Sequence, residues 1–175
     1  FPVPFTSGEI KESLTINTPS KEQLINQAFK SHSEGNILEA VKQYQYFINN
    51  GFNDHRVLSN YGVILKDLGK LHDAELFTHK AIKLNPQDAI AHYNLGTILK
   101  DLGRLKDAEL STRKAIEINP NFAIGYFNLG NLLKDLGKLQ DAELYTRKAI
   151  EINPDSEDAH SNLGIILKDL GNLKE

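Results

Sequence analysis

Residues 89–122 read AIAHYNLGTILKDLGRLKDAELSTRKAIEINPNF. Residues 123–156 read AIGYFNLGNLLKDLGKLQDAELYTRKAIEINPDS, identical to the first stretch at 24 of 34 positions. Self-similarity at a fixed period of this length marks a chain built from stacked supersecondary units. The phase extends both ways. Asn60-Tyr61-Gly62 stands one period before Asn94-Leu95-Gly96, and Asn162-Leu163-Gly164 one period after Asn128-Leu129-Gly130. Lys-Asp-Leu-Gly closes at Gly69, Gly103, Gly137 and Gly171, and Asn-Pro recurs at 85–86, 119–120 and 153–154. Asn26, Ala28, Gly35 and Ala40 carry the phase back into a divergent first copy. The copies are therefore 21–54, 55–88, 89–122 and 123–156. A partial copy at 157–175 supplies a first helix alone, acting as a closing helix, and residues 1–20 form an N-terminal extension.

Each copy reads as two helices. In 89–122, Ile90, Leu95, Ile98, Leu99 and Leu102 fall mostly at helical spacing. Gly103 then stops the helix, because glycine adopts the left-handed conformation at low cost. Arg104-Leu105-Lys106 reads as a short turn, and Asp107 and Glu109 open the second helix, where negative charge suits the positive end of the dipole. Asn119-Pro120 ends it, since the residue before proline avoids the α region. Ser20-Lys21-Glu22-Gln23 fits a capping box at the start of the first copy. In the extension, Phe1, Val3 and Phe5 belong either to a frayed lead-in or to an arm packed on the first copy.

With place 1 taken as the first residue of each copy, small residues stand at places 8, 20 and 27 and proline at place 32. They are Gly62, Ala74, Ala81 and Pro86, then Gly96, Ala108, Ala115 and Pro120, then Gly130, Ala142, Ala149 and Pro154. This pattern resembles the tetratricopeptide repeat, a helix–turn–helix unit, over residues 21–175. The tryptophan common at place 4 is replaced by Leu58, His92, Tyr126 or His160. The first copy holds Phe47 and Phe52 where alanine and proline belong, so looser or shifted packing is expected there. The strings NLG and LK-x-x-G look like those of the array preceding the catalytic domain of O-GlcNAc transferase. The resemblance implies an all-α, right-handed superhelical solenoid of antiparallel helix pairs. Such units stack because neighbouring copies cover each other's apolar faces.

Composition narrows the function classes. The chain has 175 residues, no Cys, no Met and a formal net charge of −3. Absence of cysteine excludes disulfides, thiolate zinc sites and a cysteine nucleophile. The acidic balance argues against a nucleic-acid partner, which calls for a basic surface. No apolar run approaches the length needed to cross a bilayer, so no membrane partner is expected. Phe1 is not an initiator residue, so the chain is expected to be part of a longer protein. Cytoplasmic localisation is the expectation from the missing cysteine, signal peptide and membrane segment. His72 and His79 lie about 10.5 Å apart along one helix, too far to share a metal. No phosphate loop, G-x-S-x-G or H-E-x-x-H string occurs. The chain is expected not to be an enzyme and to need no metal or cofactor.

Binding of a protein or peptide partner is left. In tetratricopeptide arrays the first helix of each pair lines the concave face, with places 2, 5, 6, 9, 12 and 13 directed into the groove. Place 6 is asparagine throughout: Asn26, Asn60, Asn94, Asn128 and Asn162. An amide donates and accepts at once, which suits the backbone of an extended peptide; O-GlcNAc transferase-like arrays use their asparagines in this way. The alternatives are that the asparagines bond neighbouring repeats or persist from duplication. Ile90, Tyr93, Thr97, Ile124, Phe127 and Asn131 give the middle of the groove an apolar and aromatic character, unless Tyr93 and Phe127 fold back into the core. Place 5 never holds the lysine of the chaperone-binding clamp, so recognition of chaperone C-termini is not expected. Lys-Asp at places 12 and 13 reads as inter-repeat charge pairing. The expected function is a non-catalytic interaction module taking an extended peptide in its groove. The alternatives are the substrate-recruiting arm of a larger transferase, glycosyltransferase-like or other, and a purely structural array. Leu163, Ile166, Leu167 and Leu170 in the closing helix are patterned for a following helix, and those not facing inward are expected to pair two copies as a homodimer.

Overall fold

The structure, a computed structural model, describes residues 20–172. These residues hold nine helices and no strand: α1 Lys21–Ser33, α2 Ile37–Asn49, α3 His55–Asp67, α4 Leu71–Leu84, α5 Ala89–Asp101, α6 Leu105–Ile118, α7 Ala123–Asp135, α8 Leu139–Ile152 and α9 Glu157–Asn172. Phe1, Val3 and Phe5 lie outside the described residues. The expected capping box is present, with Gln23 N donating to Ser20 Oγ at 3.2 Å and Ser20 N to Gln23 Oε1 at 2.7 Å.

The reversal inside each copy is tighter than the expected three-residue turn. Gly103 takes φ +75°, its N–H donates to Lys100 O at 2.8 Å, and Arg104 N donates to Leu99 O at 2.8 Å. These two bonds complete the chain reversal at a helix C-terminus. Leu105 is then drawn onto the cluster of Leu95, Leu99 and Leu132, so α6 begins there and not at Asp107. The closing helix differs in the opposite direction. α9 runs through Gly171 to Asn172, whereas α3, α5 and α7 end two residues before the equivalent glycine.

Helix pairs cross where glycine meets threonine. Gly62 lies against Thr78, Gly96 against Thr112 and Gly130 against Thr146; a Cβ on any of these glycines would collide with the threonine hydroxyl. The alanines at places 20 and 27, Ala74, Ala81, Ala108, Ala115, Ala142 and Ala149, are all buried at the same crossings. The first copy packs differently. Ala28 and Tyr44 replace the glycine and threonine, and Tyr44 is wholly buried with its hydroxyl 3.3 Å from His32 Nδ1. Tyr44 heads an aromatic file in which it meets Tyr61 at 6.1 Å and Tyr61 meets Phe77 at 4.9 Å between ring centres. Phe47 is buried against Phe52 at 5.1 Å, and Gly51, at φ +77°, turns the chain where later copies use Asn-Pro. With a ring filling the crossing, α1 and α2 make less extensive contact than α3 and α4.

The first helices of successive copies touch each other, α3 with α5, α5 with α7 and α7 with α9. The second helices make their substantial contacts only with first helices. Elements packed on both sides at one edge and spaced at the other give a curved array, with α1, α3, α5, α7 and α9 lining its inner face.

Candidate functional site

The inner face is built from equivalent places on the first helices. Ile90 and Ile124, at place 2, stand 58% and 50% exposed. Tyr93 and Phe127, at place 5, are half-buried, as are Thr97 and Asn131 at place 9. Tyr93 does turn back onto the protein, its ring meeting Phe122 edge-on at 5.3 Å. Phe127 instead walls a recess of about 180 Å³ together with Ile124, Ala149, Asn153, Ser156 and Asp158. A second recess of about 170 Å³ lies between Phe29, Arg56, Ser59, Asn60, Asp88 and Ile90.

The five asparagines do not share one environment. Asn26 is exposed and Asn60 half-buried at the edge of the second recess. Asn94 is buried and its Nδ2 donates to Ser59 Oγ at 3.0 Å. Asn162 is buried, with its Oδ1 accepting from Lys134 Nζ at 3.1 Å and its Nδ2 donating to Thr146 Oγ1 at 3.5 Å. Asn128 Nδ2 is enclosed without a hydrogen-bond partner, and so is Thr112 Oγ1 of the preceding copy. Asn94 and Asn162 thus bond neighbouring repeats, while the side chains of Asn26 and Asn60 make no such bond among the described residues. Replacing Asn94 by alanine leaves the buried Ser59 hydroxyl without this bond, and we expect a loss of about 1–3 kcal/mol. Chemical denaturation of N94A against the parent chain measures it, and an unchanged midpoint would show that the bond adds nothing.

Charges along the inner edge are mostly paired. Arg56 bonds Asp54 at 3.0 Å and Glu22 at 3.2 Å, tying the first copy to the second. Burial would raise the Asp54 carboxyl, but the hydrogen bonds from Arg56 and its charge outweigh that and hold it below the usual range. Asp88 caps α5 through Ile90 N at 3.0 Å and Ala91 N at 3.1 Å, and its other oxygen meets His55 Nδ1 at 2.7 Å. Of the Lys-Asp places, Lys100 reaches across to Asp135 at 3.1 Å, while Lys66 meets its own neighbour Asp67 at 3.0 Å. His92 and His160 each point Nε2 at a proline carbonyl, Pro86 O at 3.0 Å and Pro154 O at 2.9 Å. They fasten place 4 to the preceding Asn-Pro in the position where tryptophan is usual. No group of three metal-ligating side chains occurs among the described residues, and no helix there is long and apolar enough to cross a membrane.

Place 34 went unnoticed in the sequence, although its variation was visible. Asp54, Asp88 and Ser156 cap the following first helix from this place, whereas Phe122 cannot, and α7 starts without a side-chain cap. The same residue decides whether a recess is open or filled.

The closing helix separates its four leucine and isoleucine positions by face. Ile166 is 0% exposed and Leu170 is buried, both in a core with Leu129, Leu133 and Ala142, so neither is available for pairing two copies. Leu163 is half-buried, and Leu167 is 41% exposed. One step along a helix turns a side chain by about 100°, which carries it from the inward face to solvent.

A helical array with repeated small residues at its crossings and an open inner face defines a class of stacked-repeat proteins. Models of the tetratricopeptide repeat match residues 55–88, 89–122 and 123–156, which is more than half of the chain. The chain belongs to the tetratricopeptide repeat family. No curated protein matches it. Among solved structures, MamA from Desulfovibrio magneticus RS-1 is similar at 23% identity and a TM-score of 0.76, over 88% of this chain and 87% of that one. YrrB, described as a TPR protein with an unusual peptide-binding site, is similar at 21% identity and a TM-score of 0.71, over 81% and 73%. The first TPR of Spaghetti (RPAP3), bound to the HSP90 peptide SRMEEVD, is similar at 22% identity and a TM-score of 0.65, over 67% and 93%. At these identities the likeness is one of fold, and it agrees with an all-α repeat solenoid.

Proposed function

We propose that the chain is a non-catalytic module that holds an extended segment of a partner protein along the inner face of the array. The observation that carries this is the pair Ile90 and Ile124, both at place 2 of adjacent first helices and both at least half exposed beside side-chain-sized recesses. Contiguous exposed apolar surface with polar groups around it is characteristic of interaction sites. Asn26, Asn60, Thr97 and Asn131 supply the hydrogen-bonding groups of the same face, and Tyr93 and Phe127 its aromatic walls. Place 5 holds Ile25, Ser59, Tyr93, Phe127 and Ser161, with no lysine to meet a terminal carboxylate. The HSP90 peptide of the RPAP3 complex is therefore not the ligand class expected for this groove.

The test is the double variant I90E/I124E. Partner proteins captured by the whole chain are identified, and the affinity of each for parent and variant is measured by calorimetry. Withdrawing two isoleucines from a buried contact weakens binding by roughly a hundredfold or more, with the helical melting curve unchanged. Equal affinity of the folded variant would place the interaction elsewhere on the molecule.

A further inference from the structure

The two recesses are the same architectural feature two copies apart. Each lies where places 2 and 5 of one copy meet place 34 and the next copy's place 2. In the second copy these are Arg56, Ser59, Asp88 and Ile90; in the fourth they are Ile124, Phe127, Ser156 and Asp158. In the third copy the same corner is occupied by the protein itself, because Tyr93 packs edge-on against Phe122. At about 170 and 180 Å³ the recesses are smaller than the pockets that take small-molecule ligands, and each has room for one large side chain.

Their chemistry differs. In the first recess every charge is already engaged: Arg56 by Asp54 and Glu22, and Asp88 by His55 and the start of α5. Ser59 accepts from Asn94. What is left for a ligand is the apolar wall of Phe29 and Ile90, with the Asn60 amide at its edge. In the second recess Ser156 is engaged as a cap, its Oγ accepting from Ala159 N at 3.3 Å. Asp158 is exposed and makes no ion pair among the described residues, and beside it stand Ile124 and Phe127. A carboxylate at the rim of a wall that is aliphatic and aromatic complements a side chain with an apolar stem and a cationic head. Arginine fits best, since its guanidinium both pairs with a carboxylate and stacks on a ring.

The geometry points to a groove that reads its peptide at two points. A large apolar side chain enters between Phe29 and Ile90, and a basic side chain, arginine before lysine, enters between Ile124, Phe127 and the Asp158 carboxylate. The Tyr93–Phe122 pair forms the bridge between them, over which the peptide carries no anchor. This rests on the groove being the binding face, and adds to it the class of segment bound.

The probes are fluorescein-labelled peptides of Gly, Ser and Thr carrying one leucine and one arginine at stepped separations and in both orders. Leucine-only, arginine-only and leucine–glutamate peptides serve as controls, and anisotropy reads the affinity. At one separation the leucine–arginine peptide is expected to bind roughly fivefold tighter than the leucine-only peptide. D158N should remove that advantage, so that the leucine–arginine and leucine-only peptides bind it equally. I90E should weaken every leucine-bearing peptide. Glutamate serving as well as arginine, or an advantage that survives D158N, overturns the two-point recognition while leaving the groove intact. If no probe binds but captured partners still depend on Ile90 and Ile124, the two-point recognition falls alone. If that dependence is missing as well, the groove falls with it.

Discussion

Valine in place of Gly130 is expected to destabilise the array by on the order of 3 kcal/mol or more. A Cβ at Gly130 runs into Thr146 Oγ1 and stands 3.3 Å from the Ala142 carbonyl oxygen, which is backbone and cannot rotate away. Valine adds two further methyl groups to a crossing already closed by Ala142 and Ala149. To accept them α7 and α8 must move apart, opening the packing of Leu129 and Leu133 beneath. In a chain of this size such a loss lowers the melting temperature by roughly 10 °C. Gly164 is the internal control. It occupies the same place in the last copy, yet a Cβ there meets nothing within 4 Å. Gly164→Ala should be neutral or stabilising by up to about 1 kcal/mol, because alanine is the better helix former. Circular dichroism melts of G130V and G164A against the parent chain check both. Equal melting temperatures for parent and G130V would mean that the crossings are not close-packed.

Lysine at Ile166 should cost about 4 kcal/mol or more. Ile166 is fully enclosed among Leu129, Leu133, Leu139 and Leu170, a site that offers an ammonium group no partner. The effect should appear as detachment of α9, with faster hydrogen exchange in α8, since each unit of a solenoid rests on its neighbours. Leu167→Lys, one residue on, exchanges a side chain that is 41% exposed and should fall within about 0.5 kcal/mol of the parent. Light scattering of L167K also tests pairing of two copies through this helix without disturbing the core. If both variants melt alike, the inward face of α9 has been assigned to the wrong residues.

Both effects reside in a fold that was largely legible in the residues. The 34-residue period, the glycine stops, the Asn-Pro ends and the small residues at the crossings each follow from local chemistry, and they recur often enough to exclude coincidence. The 34-residue period also places Ile90 and Ile124 at the same position of successive first helices without knowledge of the partner helix. Glycine at place 8 announces a close approach even before its neighbour is known.

What local chemistry cannot supply is the identity of a neighbour one copy away. Asn94 and Asn128 are the same residue at the same place, yet Asn94 bonds Ser59 and Asn128 Nδ2 has no hydrogen-bond partner. The difference lies at place 5 of the preceding copy, where Ser59 offers a hydroxyl and Tyr93 a ring. Tyr93 and Phe127 likewise share place 5. Phe122 at place 34 fills the corner beside Tyr93, while Ser156 at the equivalent place leaves the recess beside Phe127 open. Leu105 joins α6 because Leu95, Leu99 and Leu132 draw it inward. The repeat thus determined the backbone, since turns and periodicity act within a few residues. Which groove side chains are engaged and which remain for a ligand was decided only by tertiary packing, because each depends on a contact between copies.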